Sequence, residues 1–257
     1  MVETVRVLTL REENMMRDKE FFPLTYISNL KECDPELAEI LGNFISQDVS
    51  LQVNLDLDIR MMVMLASLIA QQAVSQYEIM LHDAMDSGLT PVKAKEVVYQ
   101  VIPYCGLAKV AKFVDVTNEV IRERGVKLPL SVQSTTTGES RYSKGLMIQK
   151  SIFGAQIDEM QKTTPDDQKH IQRCLSENCF GDYYTRMGLD VRQRELLVFT
   201  VLSSLGGCES QLISHIRGNI NVGNARETLI SVLTQILPYI GYPRMLNAIR
   251  CVNEVTS

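Results

Sequence analysis

The chain carries one passage twice. VVYQVIPYCG, from Val97 to Gly106, returns 135 residues later as VLTQILPYIG, from Val232 to Gly241. Val, Gln, Pro, Tyr and Gly are identical between the copies. The same offset maps TNEV at Thr117–Val120 onto VNEV at Val252–Val255. Upstream, LDIR at Leu57–Arg60 pairs with LDVR at Leu189–Arg192, 132 residues on, and His82 pairs with His215, 133 residues on. A one-residue and a two-residue insertion, the latter near RGNINVG, absorb the drift. Whatever unit one copy forms, the chain forms twice.

That unit reads as helical. After each LDxR come MMVMLASLIAQQAVSQYEIMLHDAM and QRELLVFTVLSSLGGCESQLISHI, long stretches rich in Leu, Met, Ala and Gln with little strand-like alternation. Asp58 and Asp190 suit an N-cap or first-turn position. Gly88 and Gly223 mark turns, with Thr90 and Asn224 as caps of the next helix. That helix ends or kinks at Pro103 or Pro238. A last amphipathic helix follows, its stripe formed in the first copy by Val110, Phe113, Val114, Thr117, Val120 and Ile121. Asp34–Ile45 adds a leading helix with a capping-box glutamate, and Tyr142–Arg186 adds further helical groups. The expected fold is all-α, two pseudo-equivalent bundles: residues 1–127, a Ser/Thr/Gly-rich linker at 128–140, and 141–257.

Composition narrows the partners. Among 257 residues, 45% are hydrophobic and the net charge is −5, with no Lys/Arg run longer than a pair. This disfavours nucleic acid and anionic membranes. The start, MVETVRVLTLREENMM, lacks the apolar core of a signal peptide. No apolar run approaches the ~20 residues of a spanning helix, so a cytoplasmic location is expected. The six cysteines form no CxxC pair and are expected to be mostly buried and apolar in behaviour. Three histidines without ligand spacing argue against zinc.

The candidate chemistry lies in GGCESQLISH, Gly206 to His215. On a helix, Cys208, Gln211 and His215 share one face, as do Ser75, Glu78 and His82 in the first copy. An imidazole near a thiol can lower its pKa, and a helix start near Cys208 would favour thiolate. A buried Cys and His also occur as ordinary packing, so the spacing alone leaves both readings open. Glu195 can turn toward the same pocket or face solvent. Arg192 and Arg194 suit a carboxylate clamp, or plain surface ion pairs. Tyr104 and Tyr239 follow a proline, where a phenol packs its ring and aims its hydroxyl at a neighbour.

LDxR before a long helix, RELL at Arg194–Leu197, a helix ending in His, Q-x-x-PY-x-G, GYP at Gly241–Pro243, the closing NEV and FGDYYTR at Phe180–Arg186 together resemble the carboxymuconolactone decarboxylase family, which includes the alkyl hydroperoxidase D proteins. The resemblance covers about residues 28 to 127 and 141 to 256. It implies two tandem alkyl-hydroperoxidase-D-like helical repeats and, for a two-copy chain, a trimer. In the peroxidase branch the site is a Glu, a CxxC pair and a His four residues later; carried over, these are Glu195, Cys208, Gln211 and His215. The resolving cysteine is thus Gln211, and the first copy offers only Val63, Ser75, Glu78 and His82.

A dithiol peroxidase needs its second thiol; a decarboxylase does not. The first expectation is therefore cofactor-free decarboxylation, or related chemistry, of a small lactone acid. Glu195, Cys208 and His215 would be catalytic, Arg192, Arg194, Gln211 and Tyr239 would hold substrate, and Glu78 and His82 would be the first-repeat equivalents. A single-cysteine peroxidase on Cys208 and a non-enzymatic oligomeric binding protein are the alternatives.

Overall fold

A computed structural model describes residues 30–256. Among them there are helices and connecting segments but no strand. Helix α1, Pro35–Asn43, runs into a wide turn at Phe44–Val49 and a short turn at Ser50–Gln52; α2 is Leu57–Ala70, α3 Val74–Asp86, α4 Pro91–Cys105 and α5 Leu107–Glu123. The second half repeats the order. Helices α6 (Arg141–Phe153), α7 (Gln156–Thr163) and α8 (Lys169–Cys174) lead into a π-helical segment, Leu175–Tyr184. Then come α9 (Val191–Leu205), α10 (Glu209–Asn221) and α11 (Arg226–Thr256). Gly241, at φ 72°, breaks α11 into two helices. The halves thus match, with Pro103 inside the end of α4 and Pro238 just before that break.

Helices α2 and α9 are central. Met61 to Ala70 is buried along its whole length, as is Arg194 to Ser204. A helix buried on all sides must be covered on all sides: α2 packs against α3, α4, α9 and α11, and α9 against α2, α4, α10 and α11. The expectation of two bundles is refined accordingly, because a single apolar core runs through both halves.

Polar locks repeat across that junction. The Arg60 Nε donates to Gln235 Oε1 at 2.8 Å, and Arg194 donates to Gln100 Oε1 at 3.0 Å. Each half's arginine is received by the other half's QxxPYxG glutamine. Arg194 also pairs with Glu96 of α4 at 2.9 Å, both fully buried, and Arg186 meets the same carboxylate at 2.9 Å.

The helix starts set the true register of the repeat. Asp190 caps α9 in a full capping box with Gln193, and its counterpart at the start of α2 is Asp56; Asp58 lies in the first turn and pairs with Lys93. The dipeptide LD occurs twice in NLDLDIR, and the helix begins at the first. Arg60 therefore matches Arg194, not Arg192. Thr90 caps α4, its hydroxyl accepting from Lys93 N at 3.3 Å. Asn224 caps nothing with its side chain and instead donates to Asn219 Oδ1 and the Arg192 carbonyl. Asp34 precedes α1 without a side-chain cap bond.

Residues 127–140 are non-helical and are held by bonds such as Met187 N to Gln133 O and Thr135 Oγ1 to Thr185 O. Helix α6 then lies against the π-helical segment so closely that a Cβ at Gly145 would fall 1.9 Å from the Ser176 carbonyl oxygen. A backbone atom cannot swing aside, so Gly145→Ala must push α6 off its partner. We expect it to lower the unfolding free energy by about 2–3 kcal/mol; an unshifted denaturation midpoint would refute the close approach.

Candidate functional site

Glu195 sits in the first turns of α9, and its side chain turns inward to complete burial. Across from it, α10 brings His215, 8% exposed, with Nδ1 2.9 Å from Glu195 Oε2. Two features make this approach possible. Gly218, one turn beyond His215, leaves the space a Cβ would take: that atom would lie 2.8 Å from Glu195 Oε2 and 2.8 Å from Ile152 Cγ2. Asn219 ties the helices, donating to the Glu195 carbonyl at 3.0 Å and the His215 carbonyl at 2.8 Å.

The second carboxylate oxygen, Oε1, accepts from the Tyr184 hydroxyl at 2.6 Å. Tyr184 Oη lies 3.1 Å from Tyr104 Oη, which accepts from the Cys179 thiol at 3.7 Å. An ionised carboxylate only accepts. The chain therefore runs one way, from Cys179 through Tyr104 and Tyr184 to Glu195, while His215 donates its Nδ1–H from the other side. Burial pushes the Cys179 thiol up to about 12, opposed by the Tyr104 bond and assisted by the Glu195 charge. Burial also drives Tyr104 and Tyr184 well above the ordinary phenol range, with neighbouring Cys179 and Glu195 adding to it. All three donors stay protonated at neutral pH, which keeps the chain oriented.

With Nδ1 taken by Glu195, Nε2 is the ring nitrogen left for a ligand. The ring lines a cavity of about 660 Å³. Phe153 and Tyr104 meet the imidazole edge-on, with centroids 5.2 and 5.6 Å away. Helix α6 and the π-helical segment contribute Gln149, Phe153, Cys179 and Phe180, and Gln211 lies exposed at the rim. A carboxylate-oriented imidazole facing such a space can take up or deliver a proton.

The remaining expected residues lie elsewhere. Cys208 is the residue before α10, its thiol directed to the Leu202 carbonyl at 3.4 Å. It lines a small crevice with Leu202, Leu212 and Arg244 rather than the His215 cavity. Burial raises its pKa, with Glu209 and Cys251 adding to this, so the helix start does not activate it. Arg194 is sealed in the Glu96 lock, away from the residues that line the His215 cavity. Arg192 donates to the Gly223 carbonyl at 2.9 Å and lines a separate open depression of about 820 Å³ beside Asp56, Asp58 and Asp190. Of the six cysteines, only Cys179 and Cys251 are buried.

Tyr239 lies away from the His215 cavity, because each PY tyrosine reaches into the opposite half. Tyr104 of the first copy stands beside His215, whereas Tyr239 donates to Met64 Sδ in the first half. The first-repeat equivalents change as well. The matched N-termini of α3 and α10, Val74 and Glu209, set Ala73 opposite Cys208 and Met80 opposite His215, while α2 sets Met61 opposite Glu195. Glu78 is exposed, and His82 binds Arg124 and approaches Glu123 at 3.6 Å. The first copy thus holds two buried methionines where the second holds its acid and base.

The sequence suggests for Tyr104 a packed ring with its hydroxyl aimed at a neighbour, and it singles out none of Cys179, Tyr184 and Gln149 for this site. Tyr184 and its neighbours stood in plain view within FGDYYTR, but nothing local told that they fold onto α9. Among the described residues, no cluster of three His, Cys, Asp or Glu side chains forms a metal site, and no helix is long and apolar enough to cross a membrane.

Comparison with known proteins follows the duplication. The sequence profile of the carboxymuconolactone decarboxylase family matches twice, at residues 35–119 and 170–254. A 4-carboxymuconolactone decarboxylase from Acinetobacter baylyi is 27% identical over 118 residues, covering 46% of this chain and 87% of that protein.

Proposed function

The chain belongs to the carboxymuconolactone decarboxylase family, and on that premise we propose that it is a cofactor-free enzyme decarboxylating a small lactone acid at the His215 cavity. The observation that carries this is the buried Glu195–His215 pair at the wall of an open, largely apolar space. In the proposed step the bond to the substrate carboxylate breaks and CO₂ leaves. The electron pair moves into the conjugated lactone carbonyl, and the dienolate so formed takes a proton at carbon from Nε2 of the His215 ring, once that nitrogen has been protonated from solvent. His215 then regains a proton from solvent. Glu195 balances the imidazolium charge and fixes its ring.

The similarity to the Acinetobacter enzyme supports the reaction class. The thiol of Cys208 has no part in this scheme, since it faces a different crevice. The test is turnover of γ-carboxymuconolactone and related lactone acids by the purified chain. His215→Ala is expected to lower turnover by about 10²–10⁴-fold, and Cys208→Ser to leave it within twofold or so. Equal turnover by His215→Ala and the parent chain would overturn the assignment.

A further inference from the structure

One side chain in the cavity is buried, polar and incompletely bonded. Gln149, on α6, is 2% exposed, yet it lines the same space as His215. Its Oε1 accepts from Ser176 Oγ at 2.8 Å. Its Nε2 donates to none of the described residues and is not sealed from solvent, on a side chain that lines the cavity. The fold creates this arrangement: Gly145 lets the π-helical segment approach α6, and Gln149, one turn further along the same face, meets Ser176 there. Ser176 occupies the amide oxygen and turns the N–H₂ toward the ligand. An amide donor that opens on a cavity meets water there until a ligand atom able to accept from it takes the water's place.

A second observation concerns charge. No arginine or lysine lies among the described residues lining this cavity. Phe153, Phe180, Ile157 and Met160 supply apolar wall, and Gln156 and Ser214 supply neutral polar groups. A carboxylate brought here meets no cation except a protonated His215 ring, whose charge Glu195 already answers, and stripping it of water without a free counter-charge is unfavourable. A neutral carbonyl oxygen meets a ready N–H donor.

We propose that Gln149 Nε2 is the substrate-binding donor for a lactone carbonyl oxygen, so that this cavity recognises its ligand by an uncharged carbonyl rather than by a carboxylate. The proposal rests on the His215 cavity being the substrate site and adds the group recognised there. It also places Gln149 where negative charge gathers when CO₂ leaves, on the carbonyl oxygen of the dienolate. A carboxylate resting against apolar walls is weakly held, and its loss as neutral CO₂ relieves that cost.

The experiment is calorimetric titration of the full chain with two probes of one skeleton. One is a phenyl-substituted butenolide, an uncharged lactone; the other is benzoylpropanoate, the keto acid anion it opens to. The parent chain is expected to bind the lactone at least about tenfold more tightly than the anion. Gln149→Met, which keeps length and removes the donor, is expected to weaken the lactone about tenfold and leave the anion unchanged. Ser176→Ala, which only unpins the amide, is expected to weaken the lactone to a smaller degree, and it serves as the second variant should Gln149→Met fail to fold. Equal or tighter binding of the anion, or a lactone affinity untouched by both variants, overturns the proposal. The same titrations in the His215→Ala background read recognition without turnover. Failure of His215 as proton donor, seen in turnover alone, is thereby distinguished from failure of Gln149 as a binding group.

Discussion

Glu96→Ala is expected to lower the unfolding free energy by about 3–5 kcal/mol, the usual cost of stranding a buried charge. Glu96 is 1% exposed and receives both Arg186 and Arg194, the latter 0% exposed. Without the carboxylate, Arg194 keeps only Gln100 and the carbonyls of Arg186 and Met187. Burial already pulls its pKa down, and Glu96 is the main influence holding it up. Arg194→Met should cost less, because Arg186 still answers the charge of Glu96. The order of the two variants is therefore the sharper result. Denaturant midpoints at an unchanged m-value would measure it. A cost below about 1 kcal/mol for Glu96→Ala would show that this lock contributes little.

The second large effect is catalytic. Glu195→Gln is expected to reduce kcat by about 10²–10⁴-fold while KM stays within a few-fold. The carboxylate accepts two bonds, from Tyr184 Oη and His215 Nδ1. A carboxamide of the same shape accepts one and must donate the other. If its nitrogen faces His215, the ring must present a lone pair at Nδ1 and carry its proton on Nε2. The positive form of the ring also loses its counter-charge. Glu195 acts through His215, so it is a positioning residue, and a readout independent of turnover exists. Nitrogen-15 shifts of the His215 ring should report Nδ1–H in the parent chain and Nε2–H in the variant. Matching shifts together with undiminished kcat would remove Glu195 from the mechanism.

Much of the helical architecture was legible because it rests on local rules. The capping box at Asp190, the Thr90 cap, the proline near the end of α4 and the apolar runs of α2 and α9 all follow from residues close together in the chain. Glu195 and His215 were also within reach, as residues a resemblance could carry over. What failed was what depended on register or on the other half. The doubled LD before α2 shifted the repeat by two positions, which carried His82 into a place that belongs to Met80. Helical spacing put Cys208 beside His215, yet Gly206 and Gly207, both at positive φ, interrupt the helix there. Cys208 consequently ends up ahead of α10, facing its own crevice. Arg194, which reads as a carboxylate clamp or a surface ion pair, is a cross-half lock, and no periodicity within one copy reveals a partner about 94 residues away.

The exchange of tyrosines between halves has a further consequence. Tyr104, from the first copy, completes the surroundings of His215, while the position matching His215 in the first copy is Met80. The proposed chemistry therefore has a stoichiometry of one centre per polypeptide, although the scaffold is built twice. The first half is retained as a donor of one phenol and of the Glu96 anchor, and cutting the chain between its copies would leave neither fragment with a whole centre.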